Sequence, residues 1–225
     1  MKQNIKKLMS FFNKCSLLVH FKRSQIKGSS FFRARIRAKF PASICISSSR
    51  IENTSLTVYG RENQVIFDNA YVAGSTISIE GNNNRVYLAE GVMFRDSTLL
   101  IRGEHLVVEI GAGTTFGGIR IVNAGRDNKI VIGSNCLFSD HIELWASDTH
   151  PIFNLEGELI NPERSVTIGN NVWVGSKVII LKGVTIDNGS IIGMGSVVTK
   201  YVPSNVISAG YPSKTIKENV SWKLE

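Results

Sequence analysis

Apolar residues in the second half of the chain keep a period of six. Ile168, Val174, Ile180, Ile186, Ile192 and Val198 follow one another at that interval without a break. Four places after each of the first five stands Val172, Val178, Val184, Ser190 or Ser196, and Gly169, Gly175 and Gly193 directly follow three of them. An amphipathic helix needs apolar spacing of three and four, and a half-buried strand needs two. A period of six fits short strands separated by tight turns, with small or glycine residues where the chain bends.

The first half repeats over a longer interval. Gly60, Gly81, Gly103 and Gly125 stand 21, 22 and 22 residues apart. Val65, Val86, Val108 and Ile130 follow them by five, and Leu56, Ile77, Leu99 and Ile121 precede them by four. Asn63, Asn84 and Asn128 stand three places after three of these glycines. Each period reads as one coil with three short sides and an enlarged corner. The step from Val166 to Val184 is 18 residues, a coil without that enlargement. The pattern therefore predicts a parallel β-helix of about seven coils, roughly 34 Å tall at about 4.8 Å per coil. Sandwich strands do not hold so strict a register. The repeat is interrupted once, because the position equivalent to Gly125 recurs only at Asn161, 36 residues on. The excess lies around Asp148–Arg164 and predicts a loop expelled from the scaffold, where function tends to sit.

Before Pro41 the period of six is absent. Ile5, Leu8, Met9, Phe12, Ser16 and Val19 follow helical spacing, so residues 1–40 are expected to form a short, basic helical segment ahead of a repeat domain at 41–217 and a C-terminal tail at 218–225. Charge separates the same regions. Residues 1–51 hold 12 Lys and Arg and no Asp or Glu, whereas the remainder holds 14 basic and 18 acidic residues. Two readings of the segment stand side by side. One is a helix capping the open strands of the first coil, and the other is a basic amphipathic helix on an anionic membrane. No nucleic-acid motif is present, and no nucleic-acid partner is expected. The apolar stretch from Leu8 to Phe21 is broken by Asn13, Lys14 and His20 and has no small-residue cleavage site after it, so a cytoplasmic protein is expected. Cys15, Cys45 and Cys136 lack a pairing pattern and read as small apolar residues.

Candidate chemistry gathers at the expelled loop. His150 opens it, and an imidazole with an ordinary pKa of about 6.5 is suited to taking a proton near neutral pH. Asp148 stands two residues away, on the same side of an extended segment, where it could orient the ring. Glu143 is its rival for that role. His20, His105 and His141 lack this context and read as structural. A zinc site would require His105, His141 and His150 to converge between copies, and no metal is expected.

Four motifs carry a family resemblance. They are Asp148-Thr149-His150-Pro151, Ile168-Gly169-Asn170-Asn171-Val172-Trp173-Val174-Gly175-Ser176, Gly193-Met194-Gly195-Ser196-Val197-Val198-Thr199-Lys200, and Gly210-Tyr211-Pro212-Ser213-Lys214. Over about 130–217 the chain resembles the hexapeptide-repeat acetyltransferases, especially those that O-acetylate capsule, polysialic acid or lipopolysaccharide sugars. Over 44–129 only the architecture is alike. The resemblance implies a left-handed β-helix, a homotrimer, acetyl-CoA as co-substrate and a saccharide acceptor. It implies His150 as catalytic base, a backbone N–H near Trp173 as oxyanion donor, and the Trp173 indole as a wall beside the thioester. Coenzyme A contacts map onto Ser176, Met194, Thr199, Lys200, Lys214 and Lys217, with Met194 standing where the family often has Ala. The reaction implied is O-acetylation of a bacterial surface polysaccharide or its precursor. The alternatives are N-acetylation of an amino sugar nucleotide and a non-catalytic scaffold.

Overall fold

The computed structural model describes the backbone of residues 16–21 and the whole of residues 25–223. It is an all-β parallel solenoid of about eight turns, with no helix among the described residues. Three faces run along it. The first face carries Arg35–Ser47 in its N-terminal half, then Ser55–Tyr59, Thr76–Glu80, Thr98–Glu104, Ile119–Arg126, Ile142–Trp145, Ile179–Ile180 and Val197–Val198. The second runs from Gln25–Lys27 through the C-terminal half of Arg35–Ser47 to Thr185–Ile186, and the third from Ser30–Phe32 to Ile207–Gly210. All these neighbours pair in parallel. An antiparallel strand, Ser213–Lys217, then closes the third face.

The period of six is the inward column. Ile168, Val174, Ile180, Ile186, Ile192 and Val198 are all buried. Inside the third face Phe94 meets Phe116 edge-on at a centroid distance of 5.4 Å, and Phe116 stacks on Phe138 at 4.7 Å. The enlarged corner is held by backbone packing that only glycine permits. A Cβ on Gly81 would lie 1.9 Å from the Gly103 carbonyl oxygen, and one on Gly103 would lie 1.9 Å from that of Gly125. Beside this glycine column, Asn63, Asn84 and Asn128 are buried. Their amides donate to the Gly81, Gly103 and Ala146 carbonyls at 2.8, 3.0 and 2.8 Å, satisfying groups the wide turn would otherwise strand.

The N-terminal expectation needs correction. Residues 16–21 form a strand paired with Arg35–Ala42, and the chain is already in solenoid strands at Gln25–Lys27 and Ser30–Phe32. The turn built from these strands lies ahead of the seven that the repeat predicts. The physical reason is a period of two: Ala34, Ile36 and Ala38 are buried while Arg35 and Arg37 face out. Small Ala side chains hid that alternation. The apolar series Ile5, Leu8, Met9 and Phe12 lies outside the described residues. Cys136 is buried, with its thiol pushed up by that burial.

Candidate active site

The chain leaves the first face after Trp145 and returns to the second at Val166. Between them is a small hairpin, with a bridge between Phe153 and Leu159 and an Ile160 N–H bond to the Ile152 carbonyl at 2.9 Å. Its base is a polar clamp centred on Asn161. The Asn161 amide donates to Asp148 Oδ2 at 2.8 Å and to the His150 carbonyl at 2.9 Å, and its oxygen accepts from the Ile152 N–H at 2.6 Å. Lys182 donates to the Asn161 and Pro162 carbonyls at 2.9 and 3.1 Å and pairs with Asp148. On the inner side, Ser147 donates to Glu163 at 2.8 Å and accepts from the Thr149 N–H at 2.8 Å. The backbone around His150 is thus fixed from both sides, while its imidazole stays exposed.

Asp148 does not orient that imidazole. Its carboxylate is engaged by Lys182 and Asn161, and the Lys182 hydrogen bond, then the Asn161 one, hold its pKa below the usual carboxylate range. The expectation assumed an extended segment. Thr149 instead has φ of 62°, a left-handed turn that is unusual for a β-branched residue and breaks the alternation between Asp148 and His150. Glu143 is also engaged, accepting the Trp145 indole N–H at 2.8 Å. His105 and His141 sit at left-handed turn positions with φ of 55° and 53°, beside Asp127 and Asp140.

His150 lines one end of a groove of about 280 Å³ on the first face. Its floor includes Leu100, Val122 and Ala124, and its wall is Trp145, over whose ring the Arg120 guanidinium lies at 5.5 Å. Trp173 lies elsewhere, on the third face, registered between Leu137 and Ile191. Its indole is 38% exposed and touches Trp222 at a centroid distance of 6.1 Å. The Trp173 backbone N–H donates to the Ser190 carbonyl at 2.9 Å, and the Gly175 N–H to that of Ile192 at 2.9 Å. The Trp173 and Gly175 amides are therefore rungs of the ladder.

Comparison with known proteins places this arrangement. The family profile described as bacterial transferase hexapeptide (six repeats) matches residues 165–200. The crystal structure of the polysialic acid O-acetyltransferase OatWY is 33% identical and superposes with a TM-score of 0.75 over 89% of this chain and 92% of that one. The chain belongs to the hexapeptide-repeat acetyltransferases. The polySia specific acetyltransferase NeuO is 29% identical, with a TM-score of 0.69 over 95% of this chain and 90% of that one. Among curated relatives, the polysialic acid O-acetyltransferase of Neisseria meningitidis is 38% identical over 62% of this chain and 66% of its own length. The galactoside O-acetyltransferase of Escherichia coli (strain K12) is 43% identical over 41% and 45%. The chain thus spans between under half and about two thirds of these curated relatives.

Within this hexapeptide-repeat acetyltransferase, the residues expected on the donor side fall in three places. Ser176 and Met194 occupy successive levels of the corner after the third face, where the Gly195 N–H bonds to the Ser176 carbonyl at 2.9 Å. The Ser176 hydroxyl also reaches Asp140, whose pKa it lowers. Met194 is 74% exposed. Lys214 and Lys217 stand exposed on the closing strand, paired with Ala209 and Ile207. Thr199 and Lys200 are exposed at the far end of the strand Val197–Val198. Sequence reasoning missed Asn161, Lys182 and Glu163, whose roles depend on how the loop closes on itself. It also missed Trp145, which a signal could have found: carried to outward positions, the repeat register aligns it with Leu100 and Val122. Among the described residues, no group of three or more His, Cys, Asp or Glu is arranged to hold a metal ion.

Proposed function

We propose that this protein transfers acetyl from acetyl-CoA to a hydroxyl of a bacterial surface polysaccharide or its precursor, with His150 as general base. The observation that carries the reading is an exposed imidazole on a clamped backbone at the end of a groove with an aromatic wall. The names of the relatives support a polysaccharide hydroxyl as acceptor. His150 takes the hydroxyl proton as the oxygen attacks the thioester carbonyl. The tetrahedral intermediate collapses, the carbon–sulfur bond breaks, and the imidazolium returns its proton to the CoA sulfur. Products are an acetyl ester and free CoA, in one displacement within a ternary complex. Ser176, Met194, Thr199, Lys200, Lys214 and Lys217 hold the donor, the lysines serving its phosphates as point charges.

The working unit is a homotrimer in this reading. His150 and Trp173 stand on different faces of one chain, so each brings half a site for a neighbouring copy to complete. The exposed apolar side chains of the loop, Ile152, Phe153, Leu155, Leu159 and Ile160, give it a surface to bury there. Light scattering should give about three times 24.8 kDa, and a monomer in active preparations would defeat the trimer. The protein works in the cytoplasm at the inner face of the membrane, held by residues 1–40. Support comes from Ile26, Phe32 and Phe40, which are exposed beside Lys27, Arg33 and Lys39. Full-length protein should co-sediment with anionic vesicles at low salt and be released at high salt; no sedimentation at low salt removes this contact. The activity itself is tested by CoA release with polysaccharides, free sugars and amino sugar nucleotides as acceptors. Transfer only to the amino compounds overturns O-acetylation.

A further inference from the structure

After the closing strand Ser213–Lys217, the chain doubles back along the solenoid. The Val220 N–H donates to the Asn205 carbonyl at 3.0 Å, and the Trp222 indole N–H donates to the Asn171 carbonyl at 2.8 Å. Asn205 and Asn171 lie at one corner of the prism, two levels apart, linked through bonds from Asn205 to Asn188 and from Gly189 to Asn170 at 3.0 and 2.9 Å. The segment therefore crosses two turns in the direction opposite to their stacking and ends with its aromatic ring on Trp173. The solenoid core does not require this excursion, because Ser221 and Lys223 are exposed and Trp222 is only partly covered.

Trp173 needs such a neighbour. On its own face it is flanked by the registered Leu137 and Ile191, both only half-buried. Its indole N–H has no acceptor among the described residues, and Trp222 is the one ring in contact with it there. A large side chain on an open face with no hydrogen bond keeps several rotamers unless something packs against it.

We infer that Trp222 is a positioning residue for the donor side of the reaction: the strap formed by residues 218–223 holds the Trp173 indole in one orientation, as the wall beside the thioester. This rests on the proposed acetyl-CoA reaction. Trp222 touches no reacting atom, and its effect passes through Trp173.

The test uses the full chain with Trp222→Ala, Trp222→Leu and Trp222→Phe, measuring Tm, kcat, and separate KM values for acetyl-CoA and acceptor. Loss of an aromatic pair corresponds to roughly a 2- to 10-fold change in an equilibrium. Trp222→Ala should raise KM for acetyl-CoA by about that factor while KM for the acceptor stays unchanged and Tm moves by only a few degrees. Trp222→Phe keeps a ring against Trp173 and should recover most of the loss. If the Ala variant does not fold, Trp222→Leu, which keeps apolar cover without the ring, carries the same expectation. An unchanged donor KM, parallel rises in both KM values, or a Phe variant no better than Ala or Leu each overturns the role. A wild-type protein that neither binds CoA nor transfers acetyl overturns the functional reading first and this role with it. A working wild type with unchanged variants overturns this role alone.

Discussion

Replacing Asn161 by Ala removes the centre of the loop clamp without touching the core. Three bonds go at once: those to the Asp148 carboxylate, the His150 carbonyl and the Ile152 N–H. A typical hydrogen bond contributes about 0.5–1.5 kcal/mol net. The loop is open to water, so the sum sits near the low end, at about 1.5–2.5 kcal/mol. That energy holds a local arrangement, so it appears as roughly a 10- to 70-fold fall in the equilibrium constant for loops that present His150 correctly. We expect kcat to fall by that factor, KM for acetyl-CoA to stay near wild type, and Tm to drop by no more than a few degrees. Limited proteolysis should show faster cleavage between Ile152 and Ile160. A folded Asn161→Ala variant with kcat within twofold of wild type would refute the reasoning. The Asp148 contribution adds a pH signature. Its pKa is held down by Lys182 and Asn161, so the stabilisation is complete above the ordinary Asp value of about 3.9. It is lost as pH falls through the lower folded value. Loop proteolysis at neutral pH should therefore not vary with pH through this clamp, and should increase only in strong acid.

His150→Ala should lower turnover by roughly 10²–10⁴-fold with the fold intact, as loss of a general base does; circular dichroism and steady-state rates check it, and unchanged turnover removes His150 from the mechanism. Lys200→Ala with Lys214→Ala should raise KM for acetyl-CoA more than it changes acceptor dependence, and the opposite pattern would mean that these lysines do not serve the donor. Gly103→Ala should be strongly destabilising, because its Cβ would fall 1.9 Å from the Gly125 carbonyl oxygen at a φ of 139°. Thermal melts should show a loss well beyond the roughly 1–3 kcal/mol of ordinary overpacking, and a melt within a degree of wild type would contradict the glycine column.

Much of the fold was legible because a solenoid writes its core into the sequence at a constant interval. The column from Ile168 to Val198 and the corner residues Asn63, Asn84 and Asn128 could be placed by counting. Counting failed where side chains were small, as at Ala34 and Ala38, and the earliest described turn was lost with them. Within the site, His150 was legible as the residue that opens the one irregular segment, but its surroundings were not. The turn at Thr149 redirects Asp148 away from His150, and no local pattern announces a left-handed Thr. The Trp173 amide shows the same limit, since the partner of a backbone N–H is set by the neighbouring level of the sheet, here Ser190. Trp222 stands 49 residues from Trp173 in sequence, outside any repeat.

The glycine column also makes the scaffold a ruler with fixed graduations. Gly81 and Gly103 occupy equivalent places 22 residues apart, and each level depends mainly on the ones directly above and below it. Excising residues 82–103 should let Gly81 take the place of Gly103 against Gly125, shortening the prism by one step of about 4.8 Å. The clamp around His150, built entirely from later residues, would be left whole. The span of the groove leading to the histidine can therefore change only in whole steps, by gain or loss of entire turns, while the chemistry at its end stays the same.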